Sequence, residues 1–123
     1  MTLETGKLFA FIDNCWNTSI IPALTNYIRI PNKSPAFDAN WEKNGHMAHA
    51  AQLISDWCHN LDVAGMTLEV LQLPHRTPLI YIEIAGQQEE TVLLYGHFDK
   101  QPEMTGWHPG LSPWGPVIED DKL

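Results

Sequence analysis

A chain of 123 residues with 15 acidic against 7 basic side chains, and so a formal charge of −8, has the length of one domain and the wrong sign for nucleic acid or anionic membrane. A compact domain of that length buries roughly two-thirds of its unfolded surface, enough for a core. No apolar run approaches a membrane span, and the run at residues 8–12 is short, broken by Asp13 and followed by no small-residue cleavage pattern, so neither a span nor a secretory signal is expected.

Leu8, Phe11, Ile12, Cys15 and Trp16 recur at helical intervals and predict an amphipathic helix over residues 4–17. Thr18 or Ser19 then caps a second helix, with Pro22 tolerated in its first turn, running to residue 29 before Pro31 forbids continuation. Residues 31–40, dense in Pro, Asn and Ser, read as a loop. Residues 41–61 read as a third helix whose apolar stripe is Met47, Ala48, Ala51, Ile54, Cys58 and Leu61. Cys15 and Cys58 lie in helical patterns without metal-like spacing, which favours reduced thiols and a cytoplasmic protein, with one disulfide as the alternative.

Gly65 closes the connection to two strands, residues 67–73 and 79–85, whose short intervening loop suits an antiparallel pair. A polar turn at residues 86–90 leads into residues 91–95, an unbroken apolar run expected to form a central strand buried on both faces. After Pro102 the composition shifts to Pro, Gly and Trp, and reads as an ordered loop in which Trp107 and Trp114 bury apolar surface.

The chemistry concentrates where that apolar run stops. Gly96 ends it, and His97 and Asp99 follow one residue apart, so an extended backbone puts both on one face at the C-terminal end of the expected strand. That edge is where ligands bind in open α/β sheets. A neutral imidazole is a good zinc ligand, and a carboxylate that takes the other ring N–H fixes its tautomer and raises its basicity. His-x-Asp arises often by chance; the preceding strand, the small residue at the turn, and the Gln-Pro and Gly-Trp elements that follow sharpen it here.

Thr91-Val92-Leu93-Leu94-Tyr95-Gly96-His97-Phe98-Asp99-Lys100-Gln101-Pro102, then Gly106-Trp107, then Ser112-Pro113-Trp114 and on to Lys122-Leu123, resemble the co-catalytic zinc metallopeptidases, a family that includes carnosinase-like dipeptidases, aminoacylases, glutamate carboxypeptidases and acetylornithine deacetylases. Upstream, Tyr27-Ile28-Arg29-Ile30-Pro31-Asn32-Lys33-Ser34-Pro35 is similar to that family's Ile-Pro-x-x-Ser-Pro element. The resemblance implies an α/β fold, a three-layer αβα arrangement with a mixed sheet, of which residues 1–123 are the N-terminal part. It implies His97 as ligand of one of two metal ions, and Asp99 as the acidic residue that orients the histidine and supports catalysis. Zinc is the implied cofactor, with cobalt or manganese also suited to imidazole. The implied reaction is hydrolysis of a dipeptide or an N-acyl amino acid by a water activated between two ions about 3.5 Å apart, with a glutamate as base.

Other elements of the family pattern are expected beyond residue 123: a Tyr-Gly-Arg-Gly-like stretch with the bridging aspartate, a Glu-Glu pair, a later carboxylate, a distant histidine, and a lid domain through which relatives form homodimers. Asp120 and Asp121 align with the acidic turn before that stretch, and Glu89-Glu90 belongs to a turn. Elsewhere, Glu42, His46 and His49 share helical spacing but flank an apolar stripe and read as a solvated face. His59 suits a helix C-terminus, His75 sits in a loop with no convergent partner, and His108 has no ligand equivalent in the family pattern. The competing reading is a binding or interaction module that keeps the scaffold without metals. A metal-free hydrolase lacks support, because no Gly-x-Ser-x-Gly elbow occurs.

Overall fold

The computed structural model describes residues 4–123, which divide into two compact units, one drawn from residues 4–30 and 104–123 and the other spanning Pro31–Glu103. The chain is mixed helix and strand, with a two-stranded antiparallel sheet. No helix among the described residues is long and apolar enough to cross a membrane.

In the first unit, α1 (Thr5–Cys15) runs through a π-helical segment (Trp16–Ile20) into α2 (Ile21–Ile28). The expected break at Thr18 or Ser19 does not form. The Thr18 hydroxyl donates back to the Asn14 carbonyl at 2.8 Å instead of capping a new start, and the Asn17 amide donates to the Asp13 carbonyl at 2.9 Å. Pro22 has no N–H to return to the preceding turn, and just ahead of it the ladder widens, with the Ile21 N–H donating to the Trp16 carbonyl five residues back. The apolar stripe of α1 is present, but no residue of the helix is buried, and Phe9 and Phe11 stand in solvent.

The second part of this unit ends in a tight hairpin. Glu119 and Lys122 exchange both backbone hydrogen bonds at 3.0 Å, and Asp120 and Asp121 between them both take positive φ, 50° and 59°. Aspartate tolerates this left-handed backbone better than most residues, and two such positions in a row make a type I′ turn. The acidic turn expected there is therefore a turn. Trp114 is half-buried, whereas Trp107 remains exposed with its indole N–H donating to the Met104 carbonyl at 2.7 Å.

In the second unit the single helix expected over residues 41–61 is divided. Gly45, at φ +75°, separates a short turn, α3 (Trp41–Asn44), from α4 (His46–His59). Local side chains secure the break: Asn44 accepts the His46 N–H at 3.0 Å and donates to Asp38 at 2.6 Å. The buried face of α4 is Met47, Ala50, Ala51, Ser55 and Cys58, turned from the expected stripe so that Ala48 is exposed and Ile54 half-buried. Ser55 is accommodated because its hydroxyl donates to the Ala51 carbonyl at 2.8 Å. Cys15 and Cys58 are free thiols, and burial pushes that of Cys58 up.

Helix α4 packs on β1 (Met66–Leu71), which pairs antiparallel with β2 (Leu79–Ile84) in a register that sets Met66 opposite Ile84 and Leu71 opposite Leu79. The hairpin expected from the sequence is present to within two residues at each end.

The expected third strand is not. Residues 91–95 join no ladder, and Val92, Leu93, Leu94 and Tyr95 are 83–89% exposed. A strand buried on both faces needs hydrogen-bonding neighbours and covering layers, and no described segment supplies them. Only farther on does the segment meet a neighbour, in a parallel bridge between Lys100 and Lys33. Four consecutive exposed apolar side chains favour self-association. The double variant Leu93→Lys, Leu94→Lys is expected to sediment as a monomer at concentrations where the parent chain associates. Equal association of the two would locate the sticky surface elsewhere.

Candidate metal site

Three residues beyond the apolar run, the backbone is held. The Lys100 N–H donates to the Asn32 carbonyl at 2.9 Å, the Ser34 N–H donates to the Lys100 carbonyl at 2.9 Å, and the Asn32 side-chain amide donates to the Phe98 carbonyl at 2.5 Å. Lys33 adds an ion pair to Glu103, with its ammonium 3.1 Å from both carboxylate oxygens. Asp99 sits between the two held residues, and its neighbour His97 lies just before them.

The two residues singled out in the sequence meet. The His97 ring donates from Nδ1 to Asp99 Oδ1 at 2.8 Å and, more weakly, to the Asp99 backbone carbonyl at 3.1 Å. Carboxylate and carbonyl oxygens only accept, so this contact places the ring proton on Nδ1 and leaves the Nε2 lone pair unprotonated in the neutral imidazole. The His97 side chain is 64% exposed while that of Asp99 is 30% exposed, so the carboxylate is partly sheltered and the ring reaches outward. This donor arrangement fits one zinc ligand with its orienting carboxylate. No group of three or more His, Cys, Asp or Glu able to hold a metal occurs among the described residues.

Lys100 stands next in the chain, and burial pushes its ammonium down from 10.5 to about 8. Between those two values the unfolded chain binds more protons than the folded one, so stability climbs with pH across that window. Below about pH 8 both states are protonated and the full desolvation penalty is felt. The side chain is only half-buried, which makes the effect a fraction of that for a fully desolvated amine. Lys100→Met is expected to flatten the rise of the urea midpoint between pH 8 and 10.5. A variant that keeps the parent's pH slope would assign the slope to another group.

The other histidines go to separate places. The break at Gly45 takes Glu42 off the helix that carries His46 and His49, so the spacing i, i+4, i+7 does not become one face. Glu42 instead receives the Nδ1–H of His75 at 3.1 Å, giving His75 a partner that the sequence did not suggest. His75 holds a positive φ of 58° in the hairpin loop. His59 donates from Nδ1 to the Ser55 carbonyl at 2.8 Å in the last turn of α4, where a histidine complements the helix dipole. His108 belongs to the other unit, and its carbonyl accepts the Leu111 N–H at 3.0 Å.

Asn32 is the residue that sequence reasoning missed. It lies in the Ile-Pro-x-x-Ser-Pro-like element, but nothing in the spacing sets it against a segment 66 residues away. Comparison of the chain with protein-family models gives no match, and comparison with curated proteins gives none either.

Proposed function

We propose that this chain is the N-terminal part of the catalytic domain of a metal-dependent amide or peptide hydrolase acting on dipeptides or N-acyl amino acids, built as a three-layer αβα fold with a mixed sheet. The observation that carries this reading is the 2.8 Å hydrogen bond from His97 Nδ1 to Asp99 Oδ1, which presents Nε2 as a ligand. His97 would hold one divalent ion, zinc in the first instance, and Asp99 would fix its tautomer and angle. When bound, such an ion supplies Lewis acidity and a water acidic enough to attack a carbonyl near neutral pH. Asp99, by accepting a hydrogen bond from Nδ1–H, would raise the electron density at Nε2 and keep the ring from turning.

One histidine and an outer carboxylate fall short of the three protein ligands that a catalytic zinc ordinarily takes. Residues 1–123 alone are therefore expected to bind zinc weakly and to hydrolyse no dipeptide, whereas stoichiometric zinc with turnover would show that further ligands are not needed. The reading also requires the codons after Leu123 to encode a Tyr-Gly-Arg-Gly-like stretch, an aspartate and a Glu-Glu pair in that order. A stop codon there would favour an interaction module that keeps the scaffold.

A further inference from the structure

We infer that Asn32 is the positioning residue of the His97–Asp99 pair: its buried side chain clamps the backbone between them and thereby sets which imidazole nitrogen is offered to a metal. The inference deepens the hydrolase reading and rests on it for the word metal, but the clamp itself is a statement about this chain alone.

Asn32 is 1% exposed, the most buried large side chain among the described residues. Its side-chain amide donates to the Phe98 carbonyl at 2.5 Å, and its own carbonyl accepts the Lys100 N–H at 2.9 Å. In an extended segment the main-chain groups of residues i and i+2 point to one edge, while residues i−1 and i+1 turn theirs to the opposite edge and carry their side chains on one face. Holding Phe98 and Lys100 from one edge therefore leaves His97 and Asp99 free of that edge. The Asp99 carbonyl is then available to the His97 ring, which it meets at 3.1 Å, beside the 2.8 Å bond to the carboxylate. The bond from Asn32 lands on the carbonyl of Phe98, the residue between the two whose relative placement decides the tautomer.

The second observation is an unsatisfied atom. Asn32 Oδ1 is buried with no hydrogen-bond partner. Leaving a buried acceptor unpaired is destabilising, and an apolar side chain of the same shape would avoid it. The amide orientation is nonetheless fixed, because turning the group over would set Oδ1 against the Phe98 carbonyl, oxygen to oxygen. Asparagine at this position is thus explained by what its donor does to the 97–100 segment better than by bulk stability.

The test reads the His97 ring nitrogens by NMR in the whole chain labelled with nitrogen-15 at histidine. In the parent, the proton is expected on Nδ1, with Nε2 pyridine-like. In Asn32→Leu, which keeps the branched shape and removes the donor, the two nitrogens are expected to converge toward a mixture of tautomers, and zinc affinity at His97 to fall about tenfold. Lys33→Ala, which removes the neighbouring ion pair to Glu103 and leaves the clamp in place, is expected to preserve the parent tautomer. Amide resonances of α4 and the β1–β2 hairpin report whether the variant folds; should Asn32→Leu fail to fold, Asn32→Ala is read in its place, since it keeps the backbone bond from the Lys100 N–H and leaves room for water. A folded variant with the parent tautomer overturns the clamp. If instead zinc leaves His97 untouched in the parent while the tautomer still follows Asn32, the hydrolase reading fails and the clamp stands.

Discussion

His97→Ala is expected to abolish the site-specific zinc response of the chain, and Asp99→Ala to weaken it by about tenfold to a hundredfold, the usual consequence of removing the partner that orients a metal-binding imidazole. The difference between the two follows from their positions. His97 offers its ring nitrogen from the more exposed side chain of the pair, whereas Asp99 acts through the ring by accepting a hydrogen bond from its Nδ1–H at 2.8 Å. Without the carboxylate the ring keeps a weaker acceptor, the residue-99 carbonyl now 3.1 Å away, so tautomer and orientation loosen without being lost. Competition against a chromophoric zinc indicator measures both effects. Equal affinities for parent and His97→Ala would assign zinc to other histidines, of which the chain has five more.

Met47→Ala is expected to destabilise the unit built from Pro31–Glu103 by about 2–5 kcal/mol, read as a lower urea midpoint for loss of the hairpin and α4 signals together. Met47 is 3% exposed and opens the buried face that Ala50, Ala51, Ser55 and Cys58 continue along α4. The rest of that face is small side chains, so methionine supplies much of its apolar volume. Ala48→Ser, one residue along and exposed, is the matched control and is expected to change the stability by less than about 0.5 kcal/mol. A Met47→Ala midpoint as high as the control's would mean that the helix face is not the core of this unit.

What could be read in the sequence was set by how local its cause is. The antiparallel pair Met66–Leu71 and Leu79–Ile84 follows from two short apolar runs and the loop between them, all within reach of one another. The Asp120–Asp121 turn and the His97–Asp99 contact are likewise matters of a few residues. Helix boundaries were misjudged where a side chain chose between two local bonds: Thr18 back-bonds into the existing helix instead of capping the next one, and Gly45 takes the left-handed backbone that divides α3 from α4. The pairing of Glu42 with His75 and the reach of Asn32 to Phe98 span 33 and 66 residues, and no periodicity encodes them. The apolar run at 91–95 was legible as a segment that wants burial. What should bury it is a tertiary matter, and in this chain its side chains stand in solvent.

The most direct measurement is a zinc titration followed at the ring nitrogens of all six histidines at once. The account predicts that His97 responds at the lowest zinc concentration, through Nε2, with its proton still on Nδ1 and facing Asp99. Binding at His97 through Nδ1, or saturation of His46, His49 or His75 while His97 stays unchanged, would contradict it.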